Sequence, residues 1–117
     1  MRGKGNDERR QILVRVAGFI DRYGDGRFSD VDSGIDIRIN DRAGYWRDTS
    51  QGREYLFTAE GMREALIGFD FNRALDTLQA AGVLIAPGAD GRRAKAIWIG
   101  RRLVRLYSIR SEILEGD

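Results

Sequence analysis

The first part of the chain carries apolar residues at the spacing of an amphipathic helix. They recur at three- and four-residue steps: Ile12, Leu13, Val16, Phe19, Ile20 and Tyr23. Asn6 is a suitable N-cap, and Asp7 and Glu8 would lie in the first turn, where the helix dipole favours negative charge. The pattern predicts a helix over about 7–23 that ends at Gly24.

The residues that follow alternate between polar and apolar in the way that predicts strands. A short strand is expected at 27–28, and a polar loop at 30–34 comes after it. Three isoleucines alternate with polar residues over 35–39, which is the period of a half-buried strand. The segments 44–47 and 53–57 flank a polar, glycine-containing loop, and together they predict a β-hairpin.

Two short helices are predicted next. Thr58 or a neighbour would cap the first, at about 59–67, and Asp70 would cap the second, at about 71–81. A glycine follows each helix as its stop, and only two or three residues would join the pair. This arrangement is typical of a helix-turn-helix.

The last third of the chain has the strongest strand pattern. A short apolar strand is predicted at 83–85, and two longer strands at 96–99 and 103–107 are joined by a turn at Gly100–Arg101. Residues 111–117 would form a last helical turn or a frayed tail.

The order of these elements favours an α+β fold, a winged helix-turn-helix-like domain with an added N-terminal helix and an extra β-hairpin. The length of 117 residues fits a single domain with one core. Its expected parts are residues 1–5, flexible or left over from cloning, 6–24 the N-terminal helix, 27–58 strands and hairpin, 59–82 the helix-turn-helix, 83–110 a basic β wing, and 111–117 a tail.

Composition removes several function classes. There is no cysteine and no histidine, which excludes disulfides, Cys-based zinc sites and the commonest general base. A phosphate loop of the Gly-x-x-x-x-Gly-Lys-Ser/Thr type is also absent. We therefore expect no enzyme activity, no cofactor and no metal. No apolar run approaches the ~20 residues needed to cross a bilayer, so no membrane partner is expected and the cytoplasm is the default compartment.

Charge is distributed unevenly along the chain. Residues 1–90 carry 13 Lys and Arg against 15 Asp and Glu, whereas residues 91–117 carry 7 against 3. The stretch from position 91 to position 110 has no acid and seven cations: Arg92, Arg93, Lys95, Arg101, Arg102, Arg105 and Arg110. A basic hairpin on apolar strands can present this charge to a polyanion.

We interpret this basic hairpin as a contact surface for phosphate groups. Arg92 and Arg93 would lie at one loop and Arg101 and Arg102 at the other turn. Lys95 and Arg105 would point off the strands between them. Arginine forks suit phosphate oxygens, and DNA is favoured over RNA as the partner. Three alternatives stay open: a solvated face that prevents edge-to-edge pairing, pairing with acids elsewhere in the chain, and an acidic protein partner.

The predicted helix at 71–81 would be the recognition helix of a winged helix. Asn72 and Arg73 are its candidate nucleic-acid-binding residues, because Asn and Arg can read base edges. Asp76 opposes Arg73 on the next turn, so an ordinary surface helix is the favoured interpretation, and backbone contact through the hairpin is preferred over sequence readout. Aromatic residues could stack on single-stranded bases, although most are expected in the core: Tyr45, Trp46, Tyr55, Phe57 and Trp98.

Short motifs across 27–107 resemble the C-terminal region of primase-helicase-like ATPases from plasmids, prophages and integrative elements. The matching segments are Arg27-Phe28, Asn40 to Arg47, Gly52 to Phe57, Gly68-Phe69-Asp70, Gly82 to Ile85, Asp90-Gly91-Arg92 and Leu103 to Tyr107. In that family the ATPase core lies upstream, and this chain has no phosphate loop, so ATP hydrolysis is not carried over. The resemblance implies an accessory domain of a mobile-element replication protein, with an upstream ATPase or helicase domain or subunit as a possible partner.

Two functional hypotheses follow. The first is a non-catalytic, sequence-tolerant nucleic-acid-binding module that grips the phosphate backbone. The second is a protein-interaction or oligomerisation domain of winged-helix type that does not bind nucleic acid; it would expose a contiguous apolar patch and associate independently of salt.

Overall fold

A computed structural model describes residues 4–33, 42–85 and 92–115. In chain order its elements are α1 (Lys4–Tyr23), β1 (Phe28–Asp30), a 3-10 helix (Val31–Ser33), β2 (Gly44–Thr49), β3 (Gly52–Phe57), α2 (Ala59–Ala65), α3 (Phe71–Ala80), β4 (Lys95–Ile99), β5 (Arg102–Arg110) and a second 3-10 helix (Ser111–Glu115). The fold is mixed α+β, as the pattern predicts.

The strands form one five-stranded sheet in the order β1-β2-β3-β5-β4. The β1–β2 pair is parallel and the other neighbouring pairs are antiparallel. β5 belongs to two ladders: its residues 107–110 pair with β3, and its residues 102–106 pair with β4. Because the β4 ladder ends where the β3 ladder begins, β4 and the first half of β5 extend as a hairpin beyond the three strands that precede them in the sheet.

Most predicted elements are confirmed, with shifted ends. α1 begins at Lys4, so Asn6 lies inside the helix and the expected cap there is wrong. Thr58 and Asp70 do cap α2 and α3, and their side chains accept hydrogen bonds from Gly61 N and Arg73 N. Both caps are readable from sequence because they involve residues only three positions apart.

The predicted strand at 83–85 is reduced to a single bridge. Leu84 pairs with Ile109, and its neighbours add two backbone hydrogen bonds to β5 (2.9 and 2.8 Å). β5 is longer than the predicted 103–107. The 3-10 helix after it agrees with the last helical turn, one of the two expectations for 111–117. The strand predicted at 35–39 lies outside the described residues.

The main core lies between the helices and one face of the sheet. α1 contributes Ile12, Val16, Phe19 and Ile20, and the sheet contributes Phe28, Tyr55, Phe57 and Ile109. The Phe28 ring meets those of Tyr55 and Phe57 edge-on, at centroid distances of 5.7 and 5.1 Å. Phe19 of α1 packs on this group, with its ring centroid 5.8 Å from that of Phe57 and 6.3 Å from that of Phe28. Burying each such ring contributes about 1.5–3 kcal/mol, so these contacts hold α1 against the sheet.

A second, smaller cluster occupies the opposite face of the sheet. Tyr45, Leu56 and Leu106 are buried there, and partly buried side chains from the hairpin and the first 3-10 helix pack on them: Val31, Ile97, Ile99 and Val104. Alternation explains the division, because Leu56 lies between Tyr55 and Phe57 along β3 and must face the other way. This cluster anchors one face of the β4–β5 hairpin.

The start of α2 rests on the chain just before β2. The carbonyl oxygen of Ala43 accepts hydrogen bonds from the backbone N–H and the hydroxyl of Thr58, at 2.9 and 3.2 Å. A Cβ on Gly61 would lie 2.2 Å from the same oxygen. A side chain at position 61 is therefore incompatible with this contact.

Replacing Gly61 with alanine is expected to destabilise the protein. The clash is with backbone and cannot be relieved by a rotamer change, so the cost should reach about 1–3 kcal/mol. Gly18→Ala is the matched control: it also lies in a helix, and a Cβ there would meet nothing within 4 Å. Since alanine is favoured over glycine by about 1 kcal/mol in a helix, this variant should be more stable. Urea denaturation measures the free energy of unfolding of both variants, which should fall for Gly61→Ala and rise for Gly18→Ala. An equal change in both variants would contradict the proposed clash at position 61.

Arg27 connects the start of β1 to α2. Its guanidinium donates two hydrogen bonds of 2.7 Å to the carboxylate of Glu64 and lies over the Tyr23 ring, 4.9 Å from its centroid. The hydrogen bonds from Arg27 lower the pKa of the Glu64 carboxyl below its ordinary value, against a smaller opposing effect of burial.

This ion pair predicts a pH-dependent difference between the wild type and Glu64→Gln. A carboxylate whose pKa is lower in the folded state stabilises the fold above its unfolded pKa, near 4.5, and loses that effect as pH falls through the folded value. At pH 7 the variant should therefore melt a few degrees lower, since a half-exposed pair is worth at most about 1 kcal/mol. The gap should narrow below pH 4.5. A gap that stays constant from pH 7 to pH 3 would contradict a role for the charged carboxylate.

Candidate nucleic-acid interface

The β4–β5 hairpin turns at Gly100 and Arg101. Gly100 adopts φ +63°, a left-handed conformation that glycine takes at little cost and that suits a two-residue hairpin loop. Ile99 pairs with Arg102 directly before and after the turn. Two adjacent arginines, Arg101 and Arg102, are thus held at the end of a regular ribbon, and both are exposed.

The two faces of this hairpin have different environments. Ile97 and Val104 are cross-strand partners on the face that packs into the second cluster. On the other face Trp98 pairs with Leu103, and these side chains are 66% and 56% exposed. Ala96 and Arg105 form the next pair on that outward face, and both are exposed. The hairpin therefore presents an apolar surface that the described part of the fold leaves uncovered.

The cations at the tip differ from those nearer the helices. Within the described ranges, neither Arg101 nor Arg102 makes an ion pair or a side-chain hydrogen bond. Lys95 is half-buried on the anchored face, opposite Leu106. Arg105 on the outward face donates to the Ala94 carbonyl oxygen at 3.0 Å, which draws its head group back along the ribbon. Arg92 is exposed at the start of this segment.

Arg93 has a structural role. Its guanidinium donates to Gln79 Oε1 at 3.1 Å and forms an ion pair with the Asp76 carboxylate. Both partners are on α3, so Arg93 ties the chain that enters β4 to that helix. The side chain is 31% exposed, and its charge is already matched. Pairing with an acid elsewhere in the chain, one of the alternatives left open by the sequence, is therefore what the structure shows for this cation.

The outward side of α3 carries little net positive charge. Arg73 forms an ion pair with Glu8 of α1 (2.9 Å), which joins the two helices. Asn72 is exposed, and its backbone carbonyl accepts a long contact of 3.5 Å from Arg93. Asp76 lies one turn further on. The structure therefore places Asn72 and Arg73 beside each other but apart from the hairpin tip, with Arg73 already paired.

Of the five aromatic residues considered for base stacking, only Trp98 is exposed. Tyr45, Tyr55 and Phe57 are buried in the two clusters. Trp46 is half-buried, and the Arg53 guanidinium covers its ring at 3.8 Å from the centroid. In the sequence, alternation already puts Trp98 on the other face of its strand from Ile97 and Ile99. Which of the two faces packs against the sheet, and which is exposed, could be identified only from the packing of both strands.

A second surface feature, which the sequence reasoning missed, is a groove along α1. It has a volume of about 1060 Å³ and lies between α1 and the 3-10 helix that follows β5. Its α1 side is lined by Arg9, Arg10, Leu13, Val14, Ala17, Gly18 and Asp21. Val14 is 62% exposed. The sequence did contain a signal for this groove: a stripe of apolar and small residues on α1, next to the stripe of residues that are buried in the core.

The described residues hold no group of three or more His, Cys, Asp and Glu side chains placed to bind a metal ion. No described helix is both long and apolar enough to cross a bilayer. Comparison with protein-family models and with curated proteins finds no match for this chain. The resemblance to primase-helicase-like ATPases accordingly stays a prediction from short motifs.

Proposed function

We propose that this chain is a non-catalytic nucleic-acid-binding domain that holds the phosphate backbone through its β4–β5 hairpin. The observation that carries the proposal is the pair Arg101 and Arg102, exposed at the tip of an anchored ribbon whose described residues include no carboxylate. Arginine forks match phosphate oxygens, and a preorganised ribbon reduces the entropy lost on binding. DNA is the proposed partner.

The chain order of the helices and strands supports a winged helix as the finer description of the fold. α1, β3, α2 and α3 are followed by the Leu84 bridge, β4 and β5, with β3 and β5 antiparallel. This is a helix–strand–helix–helix–hairpin order, with β1 and β2 added before β3. In that description the basic hairpin is the wing and α3 is the recognition helix.

The charges favour backbone contact over sequence readout. Arg73 and Arg93 are committed to Glu8 and Asp76, so α3 offers a major groove almost no free positive charge. A helix that reads bases needs phosphate contacts to position it. The resemblance over 27–107 supports placing such a sequence-tolerant domain beside a replicative ATPase or helicase.

Removing the tip charges is expected to weaken binding and its salt dependence together. Leaving out the paired Arg93, the hairpin segment has five candidate cations: Arg92, Lys95, Arg101, Arg102 and Arg105. If all five contact single-stranded phosphates, a plot of log Kd against log salt concentration should have a slope of about 3.5. Arg101→Ala/Arg102→Ala should reduce that slope by about 1.4, because each lost contact removes about 0.7. Fluorescence anisotropy between ~50 and ~200 mM salt measures both quantities, on DNA and on RNA of the same sequence.

The matched control is Arg9→Ala/Arg22→Ala, which removes the same charge from two exposed positions on α1. It should leave the slope within about 0.3 of the wild-type value, since neither residue lies on the hairpin. Absence of wild-type binding to single-stranded and duplex nucleic acid at ~50 mM salt would overturn the proposed function. An equal loss in both double variants would assign binding to net charge alone.

The α1 groove favours a second candidate function, self-association without nucleic-acid binding. Two copies of α1 laid antiparallel about a two-fold axis would bring Val14 opposite the partner's Ala17 and Leu13 opposite the partner's Gly18. The same register places Arg10 opposite the partner's Asp21, twice per dimer. Small residues allow close helix approach, and an isologous contact requires this kind of self-complementarity.

Charge reversal tests this register. Arg10→Asp and Asp21→Arg should each raise the dimer dissociation constant by roughly tenfold, because each creates two like-charge contacts. The combined variant restores opposite charges and should associate like the wild type. Sedimentation equilibrium measures all four proteins; a wild type that stays monomeric at ~100 μM, or a double variant that is not rescued, would rule out this interface.

A further inference from the structure

The outward face of the hairpin carries a feature that phosphate binding does not require. Trp98 is 66% exposed and its cross-strand partner Leu103 is 56% exposed. Within the described residues, the Trp98 ring makes no contact with another aromatic ring and no guanidinium lies over it. Exposing a tryptophan leaves a large apolar area in water, which costs about 25 cal/mol per Å² relative to burial.

Packing of the hairpin does not depend on this ring. The opposite face, through Ile97, Ile99 and Val104, anchors the ribbon to Leu56 and Leu106. Trp98 projects the other way, so strand pairing fixes its backbone while its ring stays largely exposed. An uncovered aromatic ring on a paired strand offers a flat face to a stacking ligand, and only the side-chain torsions remain to be fixed on binding.

The neighbours of Trp98 leave its ring accessible along the strand. Ala96, two residues before it on the same face, carries only a methyl group and is exposed. Arg105, opposite Ala96, is drawn back to the Ala94 carbonyl. Arg101 lies in the turn that follows Ile99, and Arg102 belongs to the opposite face of the ribbon because it pairs with Ile99. The Trp98 ring is therefore uncovered on its own face, and the cations of the turn follow it along the chain.

We propose that Trp98, beside its cross-strand partner Leu103, is a stacking site for one unpaired base of a single-stranded nucleic acid. Charge complementarity selects a polyanion, and the ring selects a ligand with an exposed flat face. Bases inside a duplex have both faces covered by their neighbours, whereas an unpaired base can be turned onto the ring. The inference rests on the proposed function and narrows its ligand from nucleic acid in general to single strands.

The test separates base from backbone by using two ligands of equal charge. Trp98→Leu keeps apolar surface at position 98 but removes the aromatic face. On oligothymidine it should weaken binding about tenfold, within the range seen for one stacked base. On an abasic deoxyribose-phosphate chain of the same length it should change binding less than twofold. The slope against salt should stay at the wild-type value on both ligands, because no cation is removed.

A direct signal from the ring accompanies the affinities. The chain has two tryptophans, and Trp46→Phe leaves Trp98 as the only one. Stacking should quench the fluorescence of that variant on oligothymidine and leave it unchanged on the abasic chain. Wild-type protein should also prefer single strand over a blunt duplex of the same sequence by at least about tenfold.

Each failure has a distinct meaning. Equal loss on oligothymidine and on the abasic chain, or no loss on either, overturns the stacking site while backbone binding stands. Equal wild-type affinity for duplex and single strand does the same. Absence of binding to every ligand at ~50 mM salt removes the proposed function and this site with it. Protein association that depends on Trp98 would instead assign the platform to contact between copies.

Discussion

The pairing of β3 with the second half of β5 is the contact on which the other features depend. It joins the strand before α2 to the last strand of the chain, and it places Tyr55 next to Ile109 and Leu56 next to Ser108. Tyr55 and Ile109 belong to the main core under the helices. Leu56 belongs to the smaller cluster on the other face of the sheet. β5 also forms the second strand of the hairpin, so its pairing with β3 fixes the position of the hairpin relative to both clusters.

Short-range features of this fold could be predicted from the sequence. The caps at Thr58 and Asp70, the turn at Gly100 and the alternation through Trp98 involve residues within a few positions of each other. The start of α1 was missed because a helix can extend beyond a good capping residue when nothing stops it. The length of β5 was underestimated because its last residues are strands only through pairing with β3 and Leu84.

Long-range charge pairing decided the candidate site, and sequence could not specify it. Arg93 meets Asp76 across 17 positions, and Arg73 meets Glu8 across the distance from α3 to α1. Counting cations along the chain treats Arg93, Arg101 and Arg102 as equivalent. The fold divides them: one fastens the hairpin base to α3, and two remain at the tip. Opposite charges on distant elements find each other only after the core has set the geometry.

The hairpin has one face that maintains the fold and another that does not. Substitutions at Ile97 or Val104 disturb the second cluster, whereas side chains at Ala96, Trp98 and Leu103 change without altering any buried contact among the described residues. Alternate positions along the same strand therefore differ in what they contribute to folding. Exposed positions usually tolerate substitution with little change in stability, so an engineer could randomise the outward face while keeping the scaffold unchanged.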